Sequence, residues 1–321
     1  MPYDSEYRDK VRYQQLKELQ ISRIGLGTVQ FGIDYGINNA TGQVKYQDIL
    51  EILSLASEKG INFIDTSRYY GSSEENLGKA LSELGLADQF IVCTKLDLPK
   101  NYRELAEENL LQEVSDCLEK SCETLRLEKL PVYLLHNADY MKVSGGVVWD
   151  YLKEKKEEGV IGHLGVSIAS GPGEAGEVLD SPAVEAIQIP FNIFDQRWHK
   201  EGVLGKAAER GVAVFNRSTY LQGLLVMDSS DAAERLPGAV HFLEKLEGFI
   251  RDNRSDRRKM VVNYVFSETM IASTIIGIDS LQQLEENLAI YEETLFDGKT
   301  REIIGALFSD VPDSIVNPSL W

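Results

Sequence analysis

Short apolar runs alternate with longer segments of helical periodicity along almost the whole chain. Eight of these runs are rich in β-branched or other apolar residues. They are ISRIGLGT (21–28), INFIDT (61–66), FIVCTK (90–95), LPVYLLH (130–136), VIGHLGVS (160–167), AIQIP (186–190), VAVFNRS (212–218) and STIIGI (273–278). Segments with apolar residues at helical spacing, such as YQDILEILSLASEKG and LLQEVSDCLEKSCETL, lie between them. This alternation is typical of repeated βα units around a parallel sheet.

Eight such units predict an α/β fold of the (β/α)8 TIM-barrel type, which typically needs about 250 residues plus insertions. The chain has 321 residues and no Pro- or Gly-rich linker, so we expect one domain over residues 1–321. A doubly wound open sheet is the alternative. It is disfavoured because GLGTVQFG, at the first strand, lacks the glycine spacing and the following helix of a dinucleotide-binding turn.

The segment RYQQLKELQISRIGLG, which leads into the first barrel strand, has the pattern of a short β-hairpin. Its polar turn lies near Lys17 and Glu18. We expect this N-terminal β-hairpin to close the bottom of the barrel.

The charge balance excludes several classes of partner. Lys and Arg number 33 and Asp and Glu 51, a formal net charge of −18 spread along the chain. Such a chain repels nucleic acid and anionic membranes, so neither is an expected partner. The N-terminal sequence MPYDSEYRDK has no apolar leader core, and no stretch is long enough to span a membrane. We therefore expect a cytoplasmic protein.

The three cysteines do not indicate a metal site or a disulfide framework. Cys93, Cys117 and Cys122 are odd in number and lack paired metal-ligand spacing, and the chain has only four His. We expect free thiols in a reducing compartment and no bound metal.

Polar residues close several of the predicted strands, at the end of a barrel where active sites form. They are Asp65, Lys95, His136, Ser167, Gln188, Asn216, Arg217 and Ser218. Each alone has an ordinary structural explanation, since an Asp there often caps the next helix and a Lys is often solvated. Their convergence on one rim is what predicts a site.

A carboxylate, an ammonium, a phenol and an imidazole together make a proton-transfer site. The ammonium of Lys95 should lower the pKa of the Tyr70 phenol from about 10, while Asp65 keeps the lysine charged. Tyr70 could then exchange a proton near neutral pH, and His136 could orient a carbonyl oxygen. None of these groups supplies a hydride, whereas a nicotinamide cofactor would.

These motifs resemble those of the aldo-keto reductases over nearly the whole chain. DTSRYYGSSEENLGKAL (65–81) is similar to the family's Asp-Thr-Ala-x-x-Tyr-Gly-x-x-Glu signature, and IIGIDSLQQLEENL (275–288) to its last cofactor motif. The resemblance implies NAD(P)H-dependent reduction of an aldehyde or ketone to an alcohol, or the reverse. It places the general acid on Tyr70, with Asp65 and Lys95 tuning it and His136 orienting the carbonyl.

The same resemblance implies a set of cofactor-binding residues along the barrel rim. They are Thr28, Ser167, Gln188, Arg217, Ser218, Gly277, Asp279, Ser280, Gln283, Glu286 and Asn287. Two positions depart from the family pattern: Ile168 replaces an Asn that meets the nicotinamide amide, and Arg217 replaces a stacking aromatic. A guanidinium can stack but adds charge, so Arg217 should favour the neutral reduced nicotinamide over the cationic oxidised form.

The coenzyme expectation depends on Asp279. The family often has Lys or Arg there, pairing with the 2′-phosphate of NADP, whereas an Asp repels a phosphate and can accept from the ribose hydroxyls of NAD. We expect NADP(H), because a neighbouring cation could still bind the phosphate, with NAD(H) as the alternative.

Two other functions stay open. The chain could be a regulatory subunit on the same fold, as the potassium-channel β subunits are, or a lyase in which Lys95 forms a Schiff base.

The expected partner is a small carbonyl compound of unspecified class, and oligomeric state is not predicted. Loops that carry Tyr140, Met141, Trp149, Met227 and Trp321 would line the substrate pocket if these side chains face it.

Overall fold

A computed structural model of the chain describes residues 11–35, 42–293 and 296–321. Its strands are β1 (Tyr13–Leu16), β2 (Leu19–Ser22), β3 (Ile24–Gly27), β4 (Phe63–Asp65), β5 (Ile91–Leu96), β6 (Leu130–Leu135), β7 (Ile161–Ser167), β8 (Ala186–Pro190), β9 (Ala213–Arg217) and β10 (Ser273–Gly277).

The α-helices of the described residues follow the strands along the chain. They are α1 (Tyr46–Glu58), α2 (Ser73–Leu84), α3 (Glu107–Leu125), α4 (Val147–Glu157), α5 (Pro172–Val178), α6 (Arg197–Lys200), α7 (Val203–Glu209), α8 (Ser229–Arg235), α9 (Val240–Asp252), α10 (Arg257–Phe266), α11 (Leu281–Glu292), α12 (Gly298–Leu307) and α13 (Asp313–Val316).

Strands β3 to β10 form a closed barrel in the order β10-β3-β4-β5-β6-β7-β8-β9, and every neighbouring pair is parallel. This confirms the (β/α)8 prediction and excludes the open doubly wound sheet. The first predicted run, 21–28, is divided: β2 ends at Ser22 in the hairpin, and β3 begins at Ile24 in the barrel. The polypeptide changes sheets at Arg23, whose amide donates to Arg12 O and whose guanidinium donates to Glu268 O.

The N-terminal hairpin closes the lower end of the barrel. Strands β1 and β2 pair antiparallel, and Lys17 takes the left-handed conformation (φ +51°) that the tight turn between them requires. Leu16 and Ile21 are buried in one apolar cluster with Phe63 and Ala213, the first residues of β4 and β9. The expected hairpin and its place at the bottom of the barrel are therefore both found.

Several outer helices, α1 among them, bury one face, as their periodicity predicts, whereas α10 is buried at every residue from Met260 to Phe266. In α1 the side chains of Ile49, Ile52, Leu53 and Ala56 are fully buried. Burying each of the larger three side chains contributes about 1.5–3 kcal/mol. The helix ends before Gly60, whose left-handed φ of +81° lets the next amide, that of Ile61, bond back to the helix.

An ion cluster lies near the lower end of the barrel. The buried His163 ring places Nδ1 3.1 Å from Glu185 Oε2 and Nε2 3.3 Å from Glu18 Oε1 in the hairpin turn. Lys156 also pairs with Glu185. Burial raises the pKa of Glu185, but hydrogen bonds from His163 and Lys156 outweigh it and lower that pKa to about 2. This carboxylate therefore stabilises the fold only while ionised.

No helix in the described ranges combines the length and apolar character needed to cross a membrane. Within the same ranges, His, Cys, Asp and Glu side chains form no group of three or more that could bind a metal ion. The N-terminal residues 1–10, on which the leader expectation rests, lie outside the described residues.

Candidate active site

A buried ion pair lies at the upper ends of β4 and β5. The Nζ of Lys95 donates to Asp65 Oδ1 at 2.7 Å and to Thr66 O at 2.8 Å. The lysine side chain is 0% exposed and that of Asp65 6%. Burial alone would lower the pKa of Lys95, but the negative charge of Asp65 outweighs burial and raises that pKa above its usual range. Lys95 is therefore a fixed ammonium, whereas a Schiff-base nucleophile must be a neutral amine.

Asp65 also determines how Gln188 presents its amide. Gln188 Nε2 donates to Asp65 Oδ1 at 2.7 Å. Because a carboxylate only accepts, the amide nitrogen must face Asp65 and the amide oxygen must point elsewhere. That oxygen, Oε1, is buried and has no hydrogen-bond partner in the described chain. Ser167, buried on β7, lies in register with Gln188. A free acceptor beside a hydroxyl fits the carboxamide of a nicotinamide.

Tyr70 lies in the turn between β4 and α2. The turn is fixed by bonds from the Tyr70 amide to Ser67 O and from the Ser73 amide to Tyr70 O, both 3.0 Å. It packs against Gly32, where a Cβ atom would lie only 1.8 Å from Tyr70 O. The Tyr70 ring centroid is 5.1 Å from Lys95 Nζ. The backbone thus places a phenol ring beside the fixed ammonium.

The Tyr70 phenol is not acidified in this structure. Burial raises its pKa, Lys95 and Arg217 lower it, Asp65 raises it, and the net direction is upward. The expectation of a lowered pKa was wrong because it counted the ammonium and left out burial. Tyr70 is therefore a neutral phenol at neutral pH, the form that can donate a proton.

His136 follows β6 and lies edge-on to two tyrosine rings. Its ring centroid is 5.9 Å from that of Tyr69 and 6.2 Å from that of Tyr70. Its Nδ1 is 3.4 Å from Ser67 Oγ and 3.7 Å from Asp97 Oδ1. The structure thus brings Asp65, Tyr70, Lys95 and His136 together.

Sequence reasoning missed Ser67 and Asp97 as neighbours of His136. Ser67 comes two residues after Asp65, and Asp97 two residues after Lys95. Both lie just beyond the ends of β4 and β5, and this place after the carboxyl end of a barrel strand is the signal that could have found them.

Arg217 spans the rim of the barrel. It ends β9, and its Nη2 donates to Ile168 O at 2.9 Å, just beyond the end of β7. Its Nη1 lies 3.3 Å from Ser218 Oγ. The guanidinium is thereby held between the ends of β7 and β9, on the rim where the nicotinamide was expected, and its charge lowers the pKa of Tyr70.

The last-strand motif lies next to β9 on the barrel rim. Beyond Gly277, which ends β10, Ser280 caps α11 by accepting from the Gln283 amide at 3.3 Å. The Asp279 amide donates to Gln283 Oε1 at 3.0 Å, and Gln283 Nε2 donates to Asp279 Oδ2 at 3.3 Å. The second carboxylate oxygen of Asp279, Oδ1, is buried and unpartnered in the described chain.

Two further contacts join α11 to its surroundings. Asn287 Oδ1 accepts from Tyr220 OH at 2.6 Å. Glu286 pairs with the Arg258 guanidinium. The last-strand residues expected at the adenosine half of a cofactor therefore lie between the end of β10 and the middle of α11.

Thr28 has a more internal place than the resemblance implies. Its hydroxyl lies 3.0 Å from Asp65 O and 2.8 Å from Ser73 Oγ, and the residue is fully buried. These contacts fix β3 to the turn that carries Tyr70.

Most of the expected apolar substrate lining is part of the core. Tyr140, Trp149 and Met227 are buried in the main apolar cluster. Trp321 is 41% exposed, and its indole donates to Ile315 O. The first three side chains serve packing, and Trp149 does so from α4 itself.

Comparison with known proteins gives the family. The profile of the Aldo/keto reductase family matches residues 23–306. The chain belongs to the aldo-keto reductase family. This membership makes it an oxidoreductase by family, on the TIM-barrel fold.

Named relatives agree with this assignment. L-galactose dehydrogenase of Arabidopsis thaliana is 25% identical over 304 residues, covering 89% of each chain. Aldo-keto reductase YhdN of Bacillus subtilis is 30% identical over 210 residues, 64% of this chain and 61% of the relative. The holo form of aldo-keto reductase AKR11C1 from Bacillus halodurans superimposes with a TM-score of 0.73 at 22% identity, covering 92% of this chain and 96% of that one. For this aldo-keto reductase, the structural likeness shows the fold.

Proposed function

We propose that this aldo-keto reductase reduces an aldehyde or ketone to an alcohol, or catalyses the reverse reaction, with Tyr70 as the general acid. The observation that carries the proposal is the fully buried Lys95 ammonium, fixed by Asp65 at 2.7 Å and 5.1 Å from the Tyr70 ring centroid. The positive charge of Lys95 at this position stabilises the phenolate that forms as Tyr70 gives its proton to a carbonyl oxygen.

The donor set fits a nicotinamide dinucleotide. Gln188 Oε1 is a buried acceptor without a partner in the described chain, as a carboxamide NH2 group needs. Ser167 stands beside it, and Ser218 and Asp279 follow along the neighbouring strand ends β9 and β10. When bound, this cofactor supplies the hydride that no side chain can.

The remaining chemistry belongs to the protein's own residues. Tyr70 donates its proton to the carbonyl oxygen, because its raised pKa keeps it protonated. Lys95 stabilises the phenolate that results, and Asp65 keeps Lys95 charged and in place. The His136 ring faces the same space edge-on to Tyr70 and orients the carbonyl.

The proposal is tested by initial rates of coenzyme oxidation, with NADH and NADPH offered separately to a panel of aldehydes, ketones and aldoses. Aldoses are included because one relative is named a dehydrogenase of L-galactose. Tyr70→Phe should lower turnover about 100-fold or more, since general acids contribute about 10²–10⁴-fold. Tyr69→Phe is the matched control, because Tyr69 is exposed and a Phe keeps its ring against His136.

Equal losses in the two variants would contradict the assignment of Tyr70. Binding of coenzyme with no turnover on any substrate would instead favour the regulatory-subunit alternative. We also propose that the protein acts in the cytoplasm.

A further inference from the structure

Asp279 presents an unused acceptor at the expected adenosine end of the site. Its Oδ2 accepts from Gln283 at 3.3 Å, while Oδ1 is buried and has no partner in the described chain. Burial raises the pKa of this carboxyl, and Gln283 and Arg258 oppose that shift. A buried carboxylate oxygen without a donor is unfavourable, so a ligand that brings a hydroxyl donor is stabilised there.

Arg258, whose positive charge lowers the pKa of Asp279, is already paired with another carboxylate. Arg258, at the start of α10, forms an ion pair with Glu286, and its guanidinium lies 5.9 Å from the Tyr220 ring centroid. Asp279, Glu286 and Arg258 together leave one net negative charge. The expectation of NADP(H) depended on a neighbouring cation that could receive a phosphate, and Arg258 would first have to leave Glu286.

A dinucleotide that follows the strand ends would reach this carboxylate with its adenosine ribose. Gln188 on β8 and Ser218 after β9 precede Asp279 after β10, and the three strands are consecutive in the barrel. An unmodified ribose offers two hydroxyl donors, whereas a 2′-phosphate offers negative charge and replaces one of the donors.

We infer that this aldo-keto reductase selects NAD(H) over NADP(H), with Asp279 accepting from the adenosine ribose hydroxyls and repelling a 2′-phosphate. The inference rests on the proposed function, since it concerns the coenzyme of that same site. It makes Asp279 a specificity-determining residue.

The test is direct binding without substrate, by calorimetric titration of the purified protein with NADH and with NADPH. NADH should bind at least about tenfold tighter, a difference of about 1.4 kcal/mol. Asp279→Asn should tighten NADPH binding and reduce the preference, because it keeps an acceptor but removes the charge. Raising the salt concentration should narrow the wild-type preference, since screening weakens repulsion between charges.

Two variants on α11 distinguish the effect of the Glu286 charge on Arg258 from the effect of the protein's net charge. Glu286→Gln frees Arg258 and should also tighten NADPH binding. Glu285→Gln removes the same charge at an exposed neighbouring position, whereas Arg258 pairs with Glu286, and should leave the NADH-to-NADPH ratio unchanged. Thermal melts of each variant confirm that it is folded.

The outcomes distinguish the inference from the proposed function. Tighter binding of NADPH by the wild type, or an unchanged ratio in folded Asp279→Asn, would overturn the inference alone. Failure of both coenzymes to bind would overturn the inference together with the proposed function.

Discussion

Replacing Asp65 by Asn should destabilise the fold through Lys95. The ammonium is fully buried, and among the described residues its one carboxylate contact is Asp65 Oδ1 at 2.7 Å. Removing one partner of a buried pair leaves an uncompensated charge and costs about 3–5 kcal/mol. We therefore expect Asp65→Asn to lower the free energy of unfolding by that amount at pH 7.

The pH dependence of stability should change sign as well. In the wild type the pKa of Lys95 is raised, so its contribution is fully present below about pH 10 and is lost above it. In Asp65→Asn burial is no longer opposed by the carboxylate, so the pKa of Lys95 falls and the unfolded chain binds more protons than the folded one. Stability of that variant should then rise from pH 7 towards pH 10.

Urea denaturation of purified protein measures both effects. Adding Lys95→Met to Asp65→Asn should recover part of the lost stability, because it removes the buried ammonium that no longer has a carboxylate partner. The control is Asp180→Asn, which breaks another pair at 2.7 Å, with Lys206, but on the surface. It should change stability little, since exposed pairs contribute little. A loss in Asp65→Asn no larger than in Asp180→Asn, or no recovery in the double variant, would refute the reasoning.

Three further perturbations follow from contacts elsewhere in the structure. Arg217→Tyr should raise the affinity for oxidised relative to reduced coenzyme, because it removes a positive charge from the rim where we propose that the nicotinamide binds; titration with both forms measures the ratio. Glu185→Gln should lower the free energy of unfolding by about 3 kcal/mol at neutral pH. Its stability should also fall less steeply than that of the wild type between pH 4.5 and about 2, where the wild-type carboxylate takes up its proton. Denaturation across this pH range measures both effects. Gly32→Ala should lower both stability and turnover, because its Cβ would collide with Tyr70 O, whereas Gly173→Ala, with open space around its Cβ, should be tolerated.

Each of these expectations has a clear contrary result. An unchanged oxidised-to-reduced ratio would show that Arg217 does not face the nicotinamide. Parallel pH curves for wild type and Glu185→Gln would show that the ion cluster near the hairpin does not stabilise the fold. Equal effects of the two glycine substitutions would show that Tyr70 is not positioned by Gly32.

The barrel was predictable because its signal is local. Each strand is a short apolar run, each helix carries its own periodicity, and the order of the two alternates along the chain. The main error, a single strand over 21–28, arose because the hairpin and barrel strands are separated only by Arg23. Arg23 bonds to residues far away in the sequence, including Glu268 O, which no local pattern reveals.

The sequence predicted which residues form the candidate site better than it predicted their pKa values and ion pairs. Strand-end positions and the motif around Tyr70 identified Asp65, Lys95 and His136, since parallel strands bring their ends to one rim. The direction of the Tyr70 pKa was not predictable, because it depends on how deeply the loops bury the phenol. Glu286 pairs with Arg258, 28 residues earlier in the chain, and nothing in the sequence indicates that pairing.

The central claim, carbonyl reduction through Tyr70, is tested most directly by following a label from coenzyme to product. The protein is given a reduced nicotinamide coenzyme that carries deuterium in place of the hydride to be transferred, together with an aldehyde that it reduces. The alcohol product is analysed by mass spectrometry. Deuterium should appear in the alcohol with the wild type and be nearly absent with Tyr70→Phe over the same time. Coenzyme oxidation without deuterium in the alcohol, or equal labelling by both proteins, would contradict the claim.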